Sequence, residues 1–292
     1  MSEKHPVIAV TGSSGAGTST VKRAFEHIFH RENINAGIVE GDSFHSYDRA
    51  GMKKAIEDFS KEGKTLSHFG PEANHFDKLQ ELFKTYGATG QAKVRKYLHD
   101  EEEAEPYKQE PGTFTPWEDL PKDTDILFYE GLHGGVIDKD AGVNASKFVD
   151  LLIGVVPIVN LEWIQKIHRD TAERGYSAEA VTHTILRRMH DYVHYVTPQF
   201  SQTNINFQRV PTVDTSNPFI ARDIPTPDES FVVIRFKDPK NVDFLYLQSM
   251  LHDSFMSRPN TLVVPGGKMG FAMEIILTPI IHDMIEKKRK AK

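Results

Sequence analysis

Residues 6–20 read PVIAVTGSSGAGTST: an apolar run, a turn of glycine and serine, then the start of a helical pattern. In that order, glycines let successive backbone N–H groups converge on phosphate oxygens, and the following helix adds the positive end of its dipole. The phosphate-binding loop is written G-x-x-x-x-G-K-[ST]. Gly12, Gly17 and Ser19 fall on that frame, but Thr18 stands where the lysine belongs. Gly12, Ser13, Ser14, Gly15, Ala16, Gly17, Thr18, Ser19 and Thr20 are therefore candidates to hold nucleotide phosphates, with the Ser19 hydroxyl placed for a magnesium ion. The alternative is a plain strand-to-helix turn. If the loop is a phosphate site, its missing positive charge must come from elsewhere in the chain.

Working outward, strand-like runs occupy 7–12, 36–42, 125–131, 151–159, 230–236 and 261–266, and helical patterns cover about 18–31, 74–86, 160–173, 178–195 and 269–288, with Ser177 as an N-cap. Strands this apolar belong in a sheet covered on both faces. Their alternation with helices predicts an α/β fold with a mostly parallel sheet. Nothing divides the 292 residues into separate domains; residues 99–124, acidic and proline-bearing, read as a long surface excursion of the kind that forms lids or binding loops.

Composition narrows the function. A net charge of −6 with a pI near 6.2 opposes a nucleic-acid binder, which carries a basic face. With no cysteine, disulfides, thiolate metal sites and thiol redox switches are excluded. Neither a signal peptide nor a membrane span is visible, so a cytoplasmic protein is expected. The basic tail EKKRKAK reads as a solvated helix end.

Three further stretches carry chemistry. In VEGDSFHSYDR, Asp42 lies at the carboxyl edge of the second strand, with His45 and Arg49 close behind. A carboxylate beside a phosphate loop accepts a proton from a substrate hydroxyl, and an arginine fork holds a second anion; a turn cap is the plain alternative for Asp42. In ILFYEGLHGG an apolar strand ends in Glu130, the position of a magnesium-holding carboxylate, though a cap is again possible. In NLEWIQKIHRDTAERG, Lys166, Arg169, Asp170 and Arg174 share one helix face. That face is either a surface laced with ion pairs or the source of the loop's missing charge, with Lys166 and Arg169 as candidates.

Taken together, GSSGAGTST, EGDSFH, FYEGLHGG, GVVPIVNLEWIQKIHRD, RGYS and PQFSQTNINFQRVPTVDTSNPF resemble the bacterial-type phosphoribulokinases, from residue 5 to about 280. The lysine-less loop is part of that pattern. The resemblance implies a P-loop kinase fold, a mixed, mostly parallel sheet with helices on both faces. It also implies transfer of the γ-phosphate of Mg-ATP to the terminal hydroxyl of D-ribulose 5-phosphate, a step of the Calvin cycle. By the same resemblance Asp42 is the general base, Glu130 and Asp170 serve the metal or the transferring phosphoryl, and Lys166 stabilises the transition state. His45, Arg49, Arg169 and Arg174, with Tyr97 and His99, would face the sugar phosphate. Bacterial relatives are homo-oligomers, octamers among them, activated by NADH and inhibited by AMP; Arg31, Arg187, Arg188, Arg235 and Arg258 stand at the matching effector positions. The alternatives are a related kinase for another sugar phosphate or a nucleoside, and a nucleotide-binding sensor.

Overall fold

The computed structural model describes residues 4–12, 18–156, 158–221 and 223–291, the side chains of Thr18 and Ser19 excepted. Eight strands form its main sheet: β1 (Val7–Gly12), β2 (Ala36–Glu40), β3 (Ile126–Gly131), β4 (Leu151–Val156), β5 (Ile205–Pro211), β6 (Ser230–Phe236), β7 (Phe255–Arg258) and β8 (Thr261–Pro265). Their order is β7-β8-β6-β5-β4-β1-β3-β2. From β2 across to β5 every pairing is parallel; from β5 to β7 every pairing is antiparallel.

Every residue of β1 is buried, and alternate residues face opposite layers. Ile8 and Val10 pack with Val21, Phe25 and Ile28 of α1 (Thr18–Arg31) and with Met273, Ile276 and Leu277 of a long helix, Met269–Ala291. Val7 and Ala9 turn to the other layer, where Leu79, Leu82, Phe83 and Tyr86 of the helix Phe76–Thr89 close the sheet. Phe83 has no exposed surface; truncation to alanine there costs about 3–5 kcal/mol. The α/β, mixed-sheet reading is thus correct, with helices on both faces.

Several local expectations are revised. β2 stops at Glu40, and Asp42 sits in a 3-10 turn, Gly41–Phe44, rather than in the strand. Arg49 opens a helix that the sequence reading did not include, Arg49–Lys61, whose N-cap Asp48 accepts from the Gly51 N–H at 2.6 Å. β5 carries no continuous apolar run, since only Ile205 and Phe207 are buried and Asn206 and Arg209 bond to neighbouring loops. The fourth predicted helix divides into Ala178–Asp191 and a π turn, Tyr192–Val196, and Ser177 does cap it, accepting from Ala180 N–H at 3.2 Å.

The excursion begins earlier than expected and is folded. Lys93–Val94 pairs antiparallel with Glu118–Asp119, Tyr97 bridges to Phe114, and Asp100 caps a short helix, Glu101–Ala104. The basic tail also departs from expectation. Lys288 is buried, 3 % exposed, and donates to the carbonyls of Thr124 and Asp125 at 2.8 and 2.7 Å, just before β3 begins. No described helix is long and apolar enough to cross a membrane.

Candidate active site

The carboxyl ends of β1, β2, β3 and β4 share one edge of the parallel region, where ligands of open α/β sheets bind. Residues 13–17 of the phosphate loop lie outside the described residues. Its flanks are described. Gly12 ends β1 against β4, where a Cβ would lie 2.7 Å from the Val155 carbonyl oxygen, so only glycine fits. Thr20 lies in the first turn of α1, its methyl group near Gly270.

On the β2–β3 side, Glu40 and Glu130 are register partners, and Asp42 follows in the 3-10 turn. Gly41 and Gly131 meet back to back: a Cβ on Gly131 would fall 2.7 Å from Gly41 Cα. That contact draws the Asp42 turn against the tip of β3, which neither strand would allow with a larger residue. Three carboxylates gather there with little compensation, for Lys22 lies 3.5 Å from Glu40, and His99 reaches Glu40 at 3.8 Å and Asp42 at 4.0 Å. Burial, reinforced by the charges of Glu40 and Asp42, pushes the Glu130 carboxyl up to about 7. Glu40 is held below the usual range, chiefly by the His99 imidazole beside it, which is itself raised by the same contact.

No described group of three or more metal-ligating residues forms a complete cage. Magnesium does not require one, because it takes one or two carboxylates and fills its octahedron with phosphate oxygens and water. A partly buried carboxylate with its pKa raised by burial and neighbouring anions suits that role, so Glu130 fits the ion; manganese takes the same oxygen donors.

Around Asp42 the structure collects most of the expected acceptor residues. His45 Nε2 lies 3.7 Å from Asp42 Oδ1, and burial lowers its pKa. Tyr97 sits edge-on to His99 with ring centres 4.9 Å apart, and to His45 at 6.4 Å. Arg49 donates to the His99 carbonyl at 2.8 Å.

The second cluster stands on the helix Val159–Ala172, which follows β4. Asp170 is buried, 4 % exposed. Lys166 bonds one of its oxygens; Arg169 and Arg174 reach the other at 3.3 and 3.1 Å. Burial alone would raise the Asp170 carboxyl, but the Lys166 hydrogen bond and the three positive charges outweigh it and leave the group ionised. Both Asp170 oxygens are thus engaged by cations, and the carboxylate anchors a positive cluster. Burial lowers the Lys166 ammonium.

The five expected effector arginines do not assemble within one chain. Arg235 and Arg258 are exposed, both register partners of Thr261 from its two sides. Arg31 faces Glu274 at 3.6 Å and bonds Thr278. Arg187 and Arg188 go elsewhere, for each has a buried Nε without a partner, and Arg188 lies over Phe69 within range of Asp170 and Lys166. Burial lowers Arg188 to about 10.

Sequence reasoning missed the scaffold. Gln199, 1 % exposed, has its Oε1 2.9 Å from both the Thr11 hydroxyl and the Gly135 N–H, and its Nε2 donates to the Leu132 carbonyl at 2.9 Å. It joins the strand entering the phosphate loop to the chain leaving Glu130. His68 lies tilted against His45 with ring centres 4.7 Å apart, and burial pushes it down to about 3; the charges of His45, Arg188 and Lys166 also act on it, linking the two clusters. The signal for Gln199 was its place in PQFSQT, but only the fold shows what it meets.

A glycine-rich sequence between β1 and α1, a partly buried carboxylate at the tip of β3 and a carboxylate turn after β2 are the features of a P-loop phosphotransferase edge. Comparison with known proteins narrows the class. The model of the "Phosphoribulokinase / Uridine kinase family" matches residues 7–216. The chromosomal phosphoribulokinase of Cupriavidus necator is 61% identical over 292 residues, covering 100% of this chain and 99% of that one. A probable phosphoribulokinase of Escherichia coli is 59% identical over 289 residues, 99% of each chain. The solved phosphoribulokinase of Rhodobacter spheroides superposes with a TM-score of 0.90 at 55% identity, over 99% of this chain and 100% of that one. The chain belongs to the phosphoribulokinase/uridine kinase family, and it is an ATP-dependent kinase.

Proposed function

We propose that the chain transfers the γ-phosphate of Mg-ATP to the C1 hydroxyl of D-ribulose 5-phosphate, giving ribulose 1,5-bisphosphate and ADP. The observation that carries this reading on the acceptor side is the surplus of cations: Lys166, Arg169 and Arg174 converge on one carboxylate. A phosphorylated acceptor balances that surplus, whereas a nucleoside would leave it uncompensated.

In this reading Asp42 takes the proton from the C1 hydroxyl as its oxygen bonds the γ-phosphorus and the bond to the β,γ-bridging oxygen breaks. Lys166 stabilises the charge spread over the transferring oxygens, replacing the lysine that Thr18 does not bring. Arg49, Arg169, Arg174 and His45 hold the sugar phosphate, with Tyr97 and His99 lining the approach. Asp170 fixes the cations in place. When bound, magnesium, held by Glu130 and the Ser19 hydroxyl, neutralises the phosphate oxygens of the nucleotide.

A ligand-regulated homo-oligomer completes the proposal. Arg235 and Arg258, on the outer antiparallel strands, offer a paired grip for the phosphates of NADH or AMP, with Arg31 contributed from a separate surface. The test is ADP release with Mg-ATP and ribulose 5-phosphate, ribose 5-phosphate, fructose 6-phosphate or uridine, each with and without NADH. Turnover on ribulose 5-phosphate alone is expected; equal turnover on uridine would sink the acceptor assignment, and indifference to NADH would sink the effector site.

A further inference from the structure

One guanidinium stands between the Asp42 turn and the hairpin that carries Tyr97 and His99. Arg95 donates from Nε to the Ser43 carbonyl at 2.8 Å and from Nη2 to the His45 carbonyl at 2.6 Å. Its plane is gripped by the returning limb of the same hairpin, with the guanidinium carbon 3.7 Å from the Phe114 ring centre and 4.8 Å from that of Trp117. Trp117 in turn meets Phe44 edge-on at 5.8 Å. That limb is fixed to the outgoing one by the Tyr97–Phe114 bridge and by the Thr115 hydroxyl, which accepts from Lys96 N–H at 2.9 Å.

The fork therefore clasps the two carbonyls that bracket Phe44, directly after Asp42, from a residue two places before Tyr97 and four before His99. A planar guanidinium holds two acceptors in one fixed geometry; an ammonium does not. Nε and Nη2 are both committed to backbone carbonyls, so through them Arg95 acts on the turn.

We propose that Arg95 is a positioning residue for phosphoryl transfer. It locks the backbone at 43–45, and with it Asp42 and His45, in register with the wall formed by Tyr97 and His99. The proposal rests on Asp42 being the base.

Arg95→Lys keeps the charge and loses the fork. Its kcat is expected to fall about 10- to 100-fold, the scale of a roughly 1 Å misplacement of a reacting group, with the KM for Mg-ATP unchanged. The decisive measurement is a double-mutant cycle with Asp42→Asn. If Arg95 acts through Asp42, the double variant turns over no more slowly than Asp42→Asn alone. Two losses that multiply independently, as a general structural defect would give, overturn the proposal, and so does a wild-type kcat in Arg95→Lys. Near-normal turnover of Asp42→Asn alone removes the base reading and this proposal with it, and that single variant reports it separately. Should Arg95→Lys not fold, Phe114→Leu loosens the same guanidinium without touching its donors. It is expected to lose about 3- to 10-fold in kcat with the same non-additivity, and an unchanged kcat there overturns the idea.

Discussion

At the tips of β2 and β3, negative charge outnumbers its partners; around Asp170, positive charge does. Glu40, Asp42 and Glu130 share Lys22 and His99 between them, and Glu130 responds with a pKa pushed up to about 7. Asp170 is met by three cations, and Arg188 stands close by. Such imbalances cost stability in the empty protein. In the proposed function they are resolved when one region receives a metal ion and the other a phosphate.

The comparison breaks most visibly at Asp42. Asp42→Asn is expected to bind both substrates and lose about 10²- to 10⁴-fold in kcat; steady-state kinetics with near-normal turnover would take Asp42 out of the chemistry. Next comes Lys166→Met, expected to lower kcat by roughly 10²-fold with little change in either KM, because its contact strengthens as charge develops. An effect confined to KM would make Lys166 an ordinary binding group and leave the missing loop lysine unreplaced.

Smaller effects sharpen the division of labour. Arg174→Ala should raise the KM for ribulose 5-phosphate by about 10- to 100-fold, the worth of one charge-assisted hydrogen bond, while the KM for Mg-ATP stays put. Initial rates at crossed substrate concentrations separate the two, and a change in both would join the clusters into one site.

The smallest effect is a matter of pH. Glu130 is raised from 4.5 to about 7, so its protonated form is favoured in the folded protein. Its ionisation therefore costs stability that grows as pH rises from about 4.5 to about 7 and is complete above that. Glu130→Gln should raise the thermal midpoint by roughly 2–5 °C at pH 8 and leave it unchanged at pH 4.5. In the wild type, the KM for Mg-ATP should climb as pH falls below 7, since a protonated carboxyl does not hold magnesium. A midpoint gain that is equal at both pH values would show that Glu130 is not the strained group.

Much of this was legible in the sequence for a physical reason. Buried parallel strands are apolar throughout, so β1, β3 and β4 announced themselves, and the residues ending them marked the edge where ligands bind. β5 was hidden because it lies where the sheet changes from parallel to antiparallel and bonds polar loops through Asn206 and Arg209. The helical spacing of Lys166, Arg169, Asp170 and Arg174 was readable, since four residues on one face must meet. Arg95 and Gln199 were not, because what matters about them is the backbone carbonyls they reach, and a carbonyl has no letter in the sequence. Lys288 was misread for a related reason: a lysine in a charged tail looks solvated until the fold supplies two carbonyls for it.

That lysine sets a timetable for biosynthesis. The carbonyls of Thr124 and Asp125 are capped by a residue 163 to 164 positions later. At roughly 5–20 residues per second, the ribosome needs about 8–30 s to deliver it. Through that interval the entry to the strand bearing Glu130 must leave those oxygens to water or to a chaperone. The amino end of that strand, at the edge of the sheet opposite Glu130, is thus among the last parts of the chain to be completed, although its own residues are made in the first half of translation.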